Sequence, residues 1–426
     1  MKSSHWAIDS LPIGTDIQDS WDYSGLQVYG LKNLSLGQAI SEKLINFEQD
    51  KAGLKTKLIL KSNLQWSDGS KITGFDYFRG IQKSLNSNRF LANTLFRNIE
   101  KINVFSESLE FKMKKPNFKL NSTLQIPNFS PIAGGDKPLS SGNYRFIKRN
   151  SKSFIFRKNK NCPNSYLPEH VKIVLVKNPN ENIKRYKKEE LDITADTSFH
   201  YKNKSQYENE YFKKNTGLLF FITFGTNLSK PEEIGCRAKI LKIINQLRDN
   251  LCKNITYGIG KCSQPLIHED CHDENISFNN PLVLTYDDYY PNREVAEFIA
   301  FELNQAKIPV QLIKDDFYFP KTSYDLKLKI SRGPSGKAYT RYASFSGLGP
   351  IFSNKKTYYE YITCLDHWEQ DPNLLHQKYH INSLRSILAK TVAMIPLFEI
   401  PGIYFSRTGI DNPLLQNLIN TESTEL

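Results

Sequence analysis

Residues 57–78 read Lys57-Leu58-Ile59-Leu60-Lys61-Ser62-Asn63-Leu64-Gln65-Trp66-Ser67-Asp68-Gly69-Ser70-Lys71-Ile72-Thr73-Gly74-Phe75-Asp76-Tyr77-Phe78. Leu58 and Leu60 are spaced by two, with Leu64 further on. A half-buried strand needs such alternation, because successive side chains leave opposite faces. Asp68-Gly69 is a turn dipeptide, its glycine free to take a positive φ. Thr73 stands three residues before Asp76, a weaker relative of the box that caps a helix N-terminus. Phe75, Phe78 and Ile81 then recur at helical spacing. The stretch predicts a strand, a tight turn and a capped helix, in that order.

Working outward, residues 5–11, 107–113 and 171–176 alternate as strands do, and 35–48 reads as a helix followed by a strand. A βαβ unit is spelled by 282–286 (strand), 293–305 (amphipathic helix) and 310–313 (strand).

Centred on Trp66-Ser67-Asp68-Gly69, the opening stretch resembles the signature of the oligopeptide/dipeptide solute-binding proteins of ABC importers, bacterial extracellular solute-binding protein family 5. Further segments resemble the same family in the same order. Lys115-Pro116-Asn117-Phe118 is similar to its exit into a helix. Ser140 to Phe146 is similar to a turn and strand, with Gly142 and Tyr144 kept and Asn143 where the family has proline. Residues 153–159 and Glu190-Leu191-Asp192-Ile193 follow, the latter without the family's glycine. Residues 218–227 resemble a hinge strand, 237–248 a helix, and 391–398 a return strand, with a further strand over 403–410.

The resemblance implies an α/β, two-lobed, periplasmic-binding-protein-like clam-shell of type II with an inserted subdomain. Lobe I would comprise 1–31, 131–215 and 389–426, the subdomain 32–130, and lobe II 216–388. It implies a binding protein, not an enzyme, that captures a peptide or other small polar solute and hands it to an ABC permease from the periplasm or cell surface. The first residues lack the apolar core of a secretory signal, which keeps open a cytoplasmic sensor or biosynthetic accessory of the same fold.

Composition agrees with this class. The chain has 426 residues, 39% hydrophobic and 24% charged, enough for several packed units. Its apolar runs are too short or too interrupted to span a bilayer. The net charge of +13, from 57 basic and 44 acidic residues, is dispersed and accompanies no nucleic-acid motif, so no nucleic-acid partner is expected. A monomer without cofactor or metal is expected.

In peptide-binding relatives a carboxylate of the second lobe holds the ligand's ammonium, in a segment corresponding to 331–342. Here that segment holds no acid but Arg332, Lys337 and Arg341. Arginine suits bidentate recognition of a carboxylate or phosphate, so these residues suggest an anionic ligand group, against the alternative of a solvated basic loop. Gly333 to Lys337 does not match a phosphate loop, since Ser331 and Ala338 occupy required positions. Trp21, Tyr23, Tyr339 and Tyr342 are candidate cleft walls, and Thr226 and Asn227 candidate contacts at the hinge strand's end. Asp287-Asp288 and Asp315-Asp316 read as solvated turns. Cys252, Cys262, His268, Cys271 and His272 lack a zinc knuckle spacing. A Cys262–Cys271 disulfide and unpaired thiols both remain open. No catalytic motif is present.

Overall fold

The stretch 57–78 folds as its spacing predicts. In the computed structural model β3 (Lys55–Leu60) buries Leu58 and Leu60. Trp66 N–H donates to the Ser70 carbonyl at 2.8 Å, Gly69 takes φ +91°, and Ser70 N–H donates to Asp68 at 3.0 Å. The Thr73 N–H and hydroxyl donate to the Asp76 carboxylate at 2.7 and 2.9 Å, closing the cap of α1 (Gly74–Asn86). The buried stripe of α1 differs from the expected one. Tyr77 and Ile81 point inward, while Phe75 is 48% exposed. Gly80 helps fix the rotation: a Cβ there would collide with the Ser130 carbonyl, so the backbone approaches closely on this face.

The structure describes residues 3–9, 45–86, 90–135, 139–150, 153–160, 167–176, 179–195, 205–256, 261–268, 276, 278, 280–287, 291–315, 322–331 and 337–407. Among them are three sheets. The first is antiparallel, in the order β2 (Ile45–Gln49), β3, β5 (Ser108–Met113), β4 (Ile99–Val104). With α1, α2 (Phe90–Phe96) and α3 (Leu120–Leu124) it occupies the span expected for the inserted subdomain. The second sheet runs β1 (Ser3–Asp9), β8 (His170–Val176), β7 (Ser153–Lys158), β6 (Tyr144–Asn150), and belongs to lobe I with α4 (Pro179–Lys187).

The third sheet, of lobe II, runs β10 (Lys261–Cys262), β14 (Met394–Phe405), β9 (Tyr211–Phe224), β13 (Leu326–Ser331), β11 (Leu282–Asp287), β12 (Val310–Asp315). Phe220, Ile222, Leu326, Leu328 and Ile395 pack one face against α5 (Ile234–Thr256) and α6 (Asn292–Gln305). Leu219, Phe221 and Met394 turn to the other face. There they meet α7 (Ala338–Phe345), α8 (Gly349–Phe352), α9 (Lys355–Gln370) and α10 (Gln377–Thr391). The subdomain's apolar residues, Leu58 to Phe129, join this same core, with α2 and α3 resting on α7. No helix among the described residues is long and apolar enough to cross a membrane.

β9 and β14 are long enough to serve both lobes. They pair from Thr223–Met394 in lobe II to Tyr211–Phe405 beside lobe I, with register shifts between Pro396 and Phe398 and between Ile400 and Gly402. The strand expected after 398 is thus the continuation of β14. Phe405 then enters the core of lobe I with Ala7, Val174, Ile183, Tyr186 and Leu191.

Arg237, in the helix that resembles a family motif, is 2% exposed. Its guanidinium donates to the carbonyls of Leu228, Lys230 and Thr391 at 2.5, 2.7 and 2.9 Å and burial pulls its pKa down to about 10. It fastens α5 to the end of α10. Arg237→Ala is expected to lower stability by roughly 3–5 kcal/mol, since it strands three carbonyls in a closed space. Chemical denaturation is the measurement, and a cost within error of zero would refute this role.

Candidate functional site

Strand directions locate the cleft. β11, β12 and β13 are parallel, and β9 runs antiparallel to β13 with Ser331 opposite Leu219. Their carboxyl ends therefore lie at the hinge end of β9. In lobe I, β1 and β8 are parallel, and the β1 residue Trp6 bridges Ile193 in the parallel sense. Ile193 in turn bridges Ser406, just past β14, in the antiparallel sense. The carboxyl ends of β1 and β8 thus point back along β14 toward lobe II. Both sheets turn their carboxyl edges toward each other across two shared strands, the place where open α/β sheets bind ligands.

Asp287 and Asp315 stand on the lobe II edge. They are register neighbours at the ends of β11 and β12 and are 6% and 9% exposed. The expectation that both lie in solvated turns is corrected: alternation in LVLTYD and VQLIKD sends the leucines to the α5/α6 core and the terminal aspartates to the opposite face. Thr285, two residues before Asp287 and so on the same face, is fully buried. Asn292, the first residue of α6, is 1% exposed. The two carboxylates and these neutral polar groups can accept hydrogen bonds from a cation. Sequence reasoning passed them over because adjacent acids read as a turn, although strand alternation was available to place them.

The other candidates are distributed differently. Thr226 and Asn227 form an exposed turn beyond Phe224. Phe224 pairs with Leu326, at the amino end of β13, so this turn is remote from lobe I. Tyr339 and Tyr342 are 3% and 0% exposed and pack edge-on and tilted against Trp368. They are core residues, not free walls. Arg341, 1% exposed, donates to Glu399 of β14 at 2.6 Å, so its charge serves the hinge strand rather than a solute. Trp21, Tyr23 and Arg332 lie outside the described residues. A cavity of about 640 Å³, lined by His5, Lys172, Arg185 and Glu190 among others, opens on lobe I. It lies toward the amino ends of β1 and β8, away from the cleft.

Tyr339 belongs to a buried polar network between subdomain and lobe II. Its hydroxyl donates to Glu369, which is also met by Arg97 at 3.0 Å and Asn98 at 2.6 Å. Arg97 and Lys115 reach Asp366 at 2.7 and 2.6 Å, and Phe118 N–H donates to the Glu369 carbonyl at 2.7 Å. Burial raises the pKa of Glu369 despite Arg97, and burial also raises the Tyr339 hydroxyl, helped by Glu369. At Asp366 burial pushes upward, but Lys115, Asn98 and Arg97 together win and hold it low.

Arg97→Met leaves Glu369 and Asp366 short of a cation and is expected to cost about 3–5 kcal/mol. Glu369→Gln is expected to cost less than half of that, because burial already works against the charged form of this carboxyl. The depressed Asp366 contributes stability above its ordinary value of 3.8 and loses it as pH falls through its lower folded value. Glu369, raised, works in the opposite sense, its contribution fading as pH rises through its folded value. The stability gap between wild type and Asp366→Asn should therefore shrink on acidification. Urea midpoints between about pH 3 and 7 check this, and a gap that widens toward acid would contradict it.

The family described as "Bacterial extracellular solute-binding proteins, family 5 Middle" matches residues 21–247, just over half of the chain. The chain belongs to this family: it is a solute-binding protein of the kind that serves ABC importers, and the family consists of binding proteins. Among solved structures, Haemophilus influenzae OppA in complex with RPPGFSPFR superposes with a TM-score of 0.79 at 13% identity, covering 98% of this chain and 97% of that one. The dipeptide-binding protein of Pseudoalteromonas sp. SM9913, in complex with Met-Leu, gives 0.78 at 13%, covering 95% and 96%. AgaA of A. tumefaciens R10, in complex with agropinic acid, gives 0.76 at 14%, covering 99% and 98%. No curated protein matches the chain in sequence. The two-lobed clam-shell is the fold of all three similar structures, as the sequence implied.

Proposed function

We propose that this chain captures a small solute bearing an ammonium group, a short peptide foremost, between lobe I and the lobe II edge, outside the cytoplasmic membrane, and delivers it to an ABC permease. The observation that carries this reading is the pair Asp287 and Asp315, side by side at the strand ends that face lobe I. Carboxylates at the strand ends can accept hydrogen bonds from a ligand, and a primary ammonium offers three donors for them. The peptide ligands of the H. influenzae and Pseudoalteromonas proteins carry such a group; agropinic acid in AgaA shows how widely the fold's ligands range.

In this reading the ammonium anchor comes from β11 and β12, not from the segment after β13. Arg332, directly after β13, is the proposed partner for the ligand's own carboxylate, and Trp21 and Tyr23 are proposed aromatic walls. The lobe limits at 31 and 215 remain part of the proposal, the subdomain is proposed to extend past 130 to 135, and lobe I to resume within β14 and not at 389. Pro131 to Gly135 go with the subdomain, since Ile132 N–H donates to the Asp76 carbonyl at 3.0 Å and Arg79 to the Ile132 carbonyl at 3.0 Å. Hydrogen bonds to a charged group are worth about 1.5–3 kcal/mol. Asp287→Asn and Asp315→Asn are therefore each expected to weaken binding of a Met-Leu probe, or of the peptide released from the protein by denaturation, roughly 10- to 150-fold. Titration calorimetry reads the loss. Unchanged affinity in both variants, or an anionic metabolite without an amine in the released material, would overturn the ammonium reading.

A further inference from the structure

Cys252 and Cys262 are the structural features that the binding function does not use. Cys252 lies on α5 and is 4% exposed; Cys262 lies on the two-residue edge strand β10 and is half-buried against the same core cluster. The Cys262 thiol donates to the Arg248 carbonyl at 3.8 Å. Arg248 is four residues before Cys252, so in α5 the N–H of Cys252 hydrogen-bonds to that same carbonyl. A helical side chain leans back over the preceding turn, which sets the Cys252 thiol above the group that Cys262 already contacts. Cys236 and Cys364 sit elsewhere, at the start of α5 and in α9, and none of these four described cysteines is bridged in the structure.

We infer that Cys252 and Cys262 are the partners of a structural disulfide that ties edge strand β10 to α5 when the chain folds in an oxidising compartment. The inference rests on the extracellular reading, since disulfides persist in such compartments and not in a reducing cytosol. In the reaction the thiolate of one cysteine attacks the disulfide of an oxidant, either a disulfide-carrying oxidoreductase or oxidised glutathione, and releases its first thiol. The second cysteine then attacks the mixed disulfide. The S–S bond of the protein forms, the oxidant leaves as two thiols, and two protons are lost from the cysteines and taken up by the leaving sulfurs.

Timing follows from burial. In the folded chain burial, followed by the neighbouring Cys252 and Asp249, pushes the Cys262 thiol up to about 12, so it holds little thiolate at neutral pH. The bond thus forms while the core is still open, and it closes a short loop. Cross-linking residues about ten apart removes enough freedom from the unfolded chain to raise the folded-to-unfolded ratio roughly 10²-fold.

The test uses the unmodified full chain, refolded from denaturant in a mixture of oxidised and reduced glutathione. Remaining thiols are then alkylated in denaturant without reductant and mapped by mass spectrometry. The expected result is one linked peptide pair joining Cys252 to Cys262, with both residues unalkylated. Alkylation of either residue in the refolded product, or a bond from Cys262 to Cys271, would overturn the pairing. Cys262→Ala, at the less buried position, serves as a second check: it should leave Cys252 alkylated and abolish the redox dependence of the denaturation midpoint. Material from the native host separates the two readings. A bond that forms on refolding but is missing in host protein defeats the extracellular reading and leaves the pairing intact.

Discussion

β9 and β14 lie side by side from one lobe to the other, and the rest of the molecule takes its place from that pairing. Two hydrogen-bonded strands resist shear along their length, yet they yield where the ladder is interrupted. The interruptions fall at Pro396 and at Pro401-Gly402, where a residue without an N–H removes a ladder bond and a glycine relaxes the backbone. The upper half of the pair is the centre of the lobe II sheet, and its lower end delivers Phe405 into lobe I. Once these directions are set, the parallel strands of both lobes have no choice about which edge they show each other.

A second constraint is the handling of charge inside the protein. Arg237, Arg341 and Arg97 are all largely buried, and each meets carbonyl or carboxylate acceptors. Arg237 finds three carbonyls, Arg341 finds Glu399, and Arg97 finds Glu369 and Asp366. The Arg97 set spans the subdomain and α9, in the same place where their apolar cores merge. The pair Ser67–Ser140 holds the subdomain to lobe I in a lighter way, with N–H donated to carbonyl at 2.9 Å and to hydroxyl at 3.2 Å. Ser67 belongs to the Trp66-Ser67-Asp68-Gly69 turn, so the most recognisable motif of the chain works as a joint between parts.

Much of the fold was legible because it is written in local patterns. The Asp68-Gly69 turn, the Thr73–Asp76 cap and the βαβ unit around α6 depend on residues close in sequence, and each appears where the spacing put it. The site was less legible, because its residues are chosen by direction and not by type. Tyr339, Arg341 and Tyr342 have the chemistry of ligand contacts, but α7 turns them into a core already supplied by Trp368 and Glu399. Thr226 and Asn227 follow the end of β9 opposite to the one beside lobe I, and sequence does not say which end of β9 crosses between lobes. Asp287 and Asp315 become neighbours only through the parallel pairing of β11 with β12, a contact between segments nearly thirty residues apart.

The location of those two aspartates bears on how a protein with a formal charge of +13 can select a cationic group. The excess of lysine and arginine is spread over the surface, and at physiological salt its field is screened within about 8–10 Å. A cation entering the cleft therefore responds to what stands within that range. Low local permittivity strengthens the attraction of nearby carboxylates several-fold over its value in water, while distant surface lysines lose their influence. On the proposed reading, selectivity is a property of a few buried groups at the strand ends, which is why net charge and composition place the chain in its class but say little about its solute.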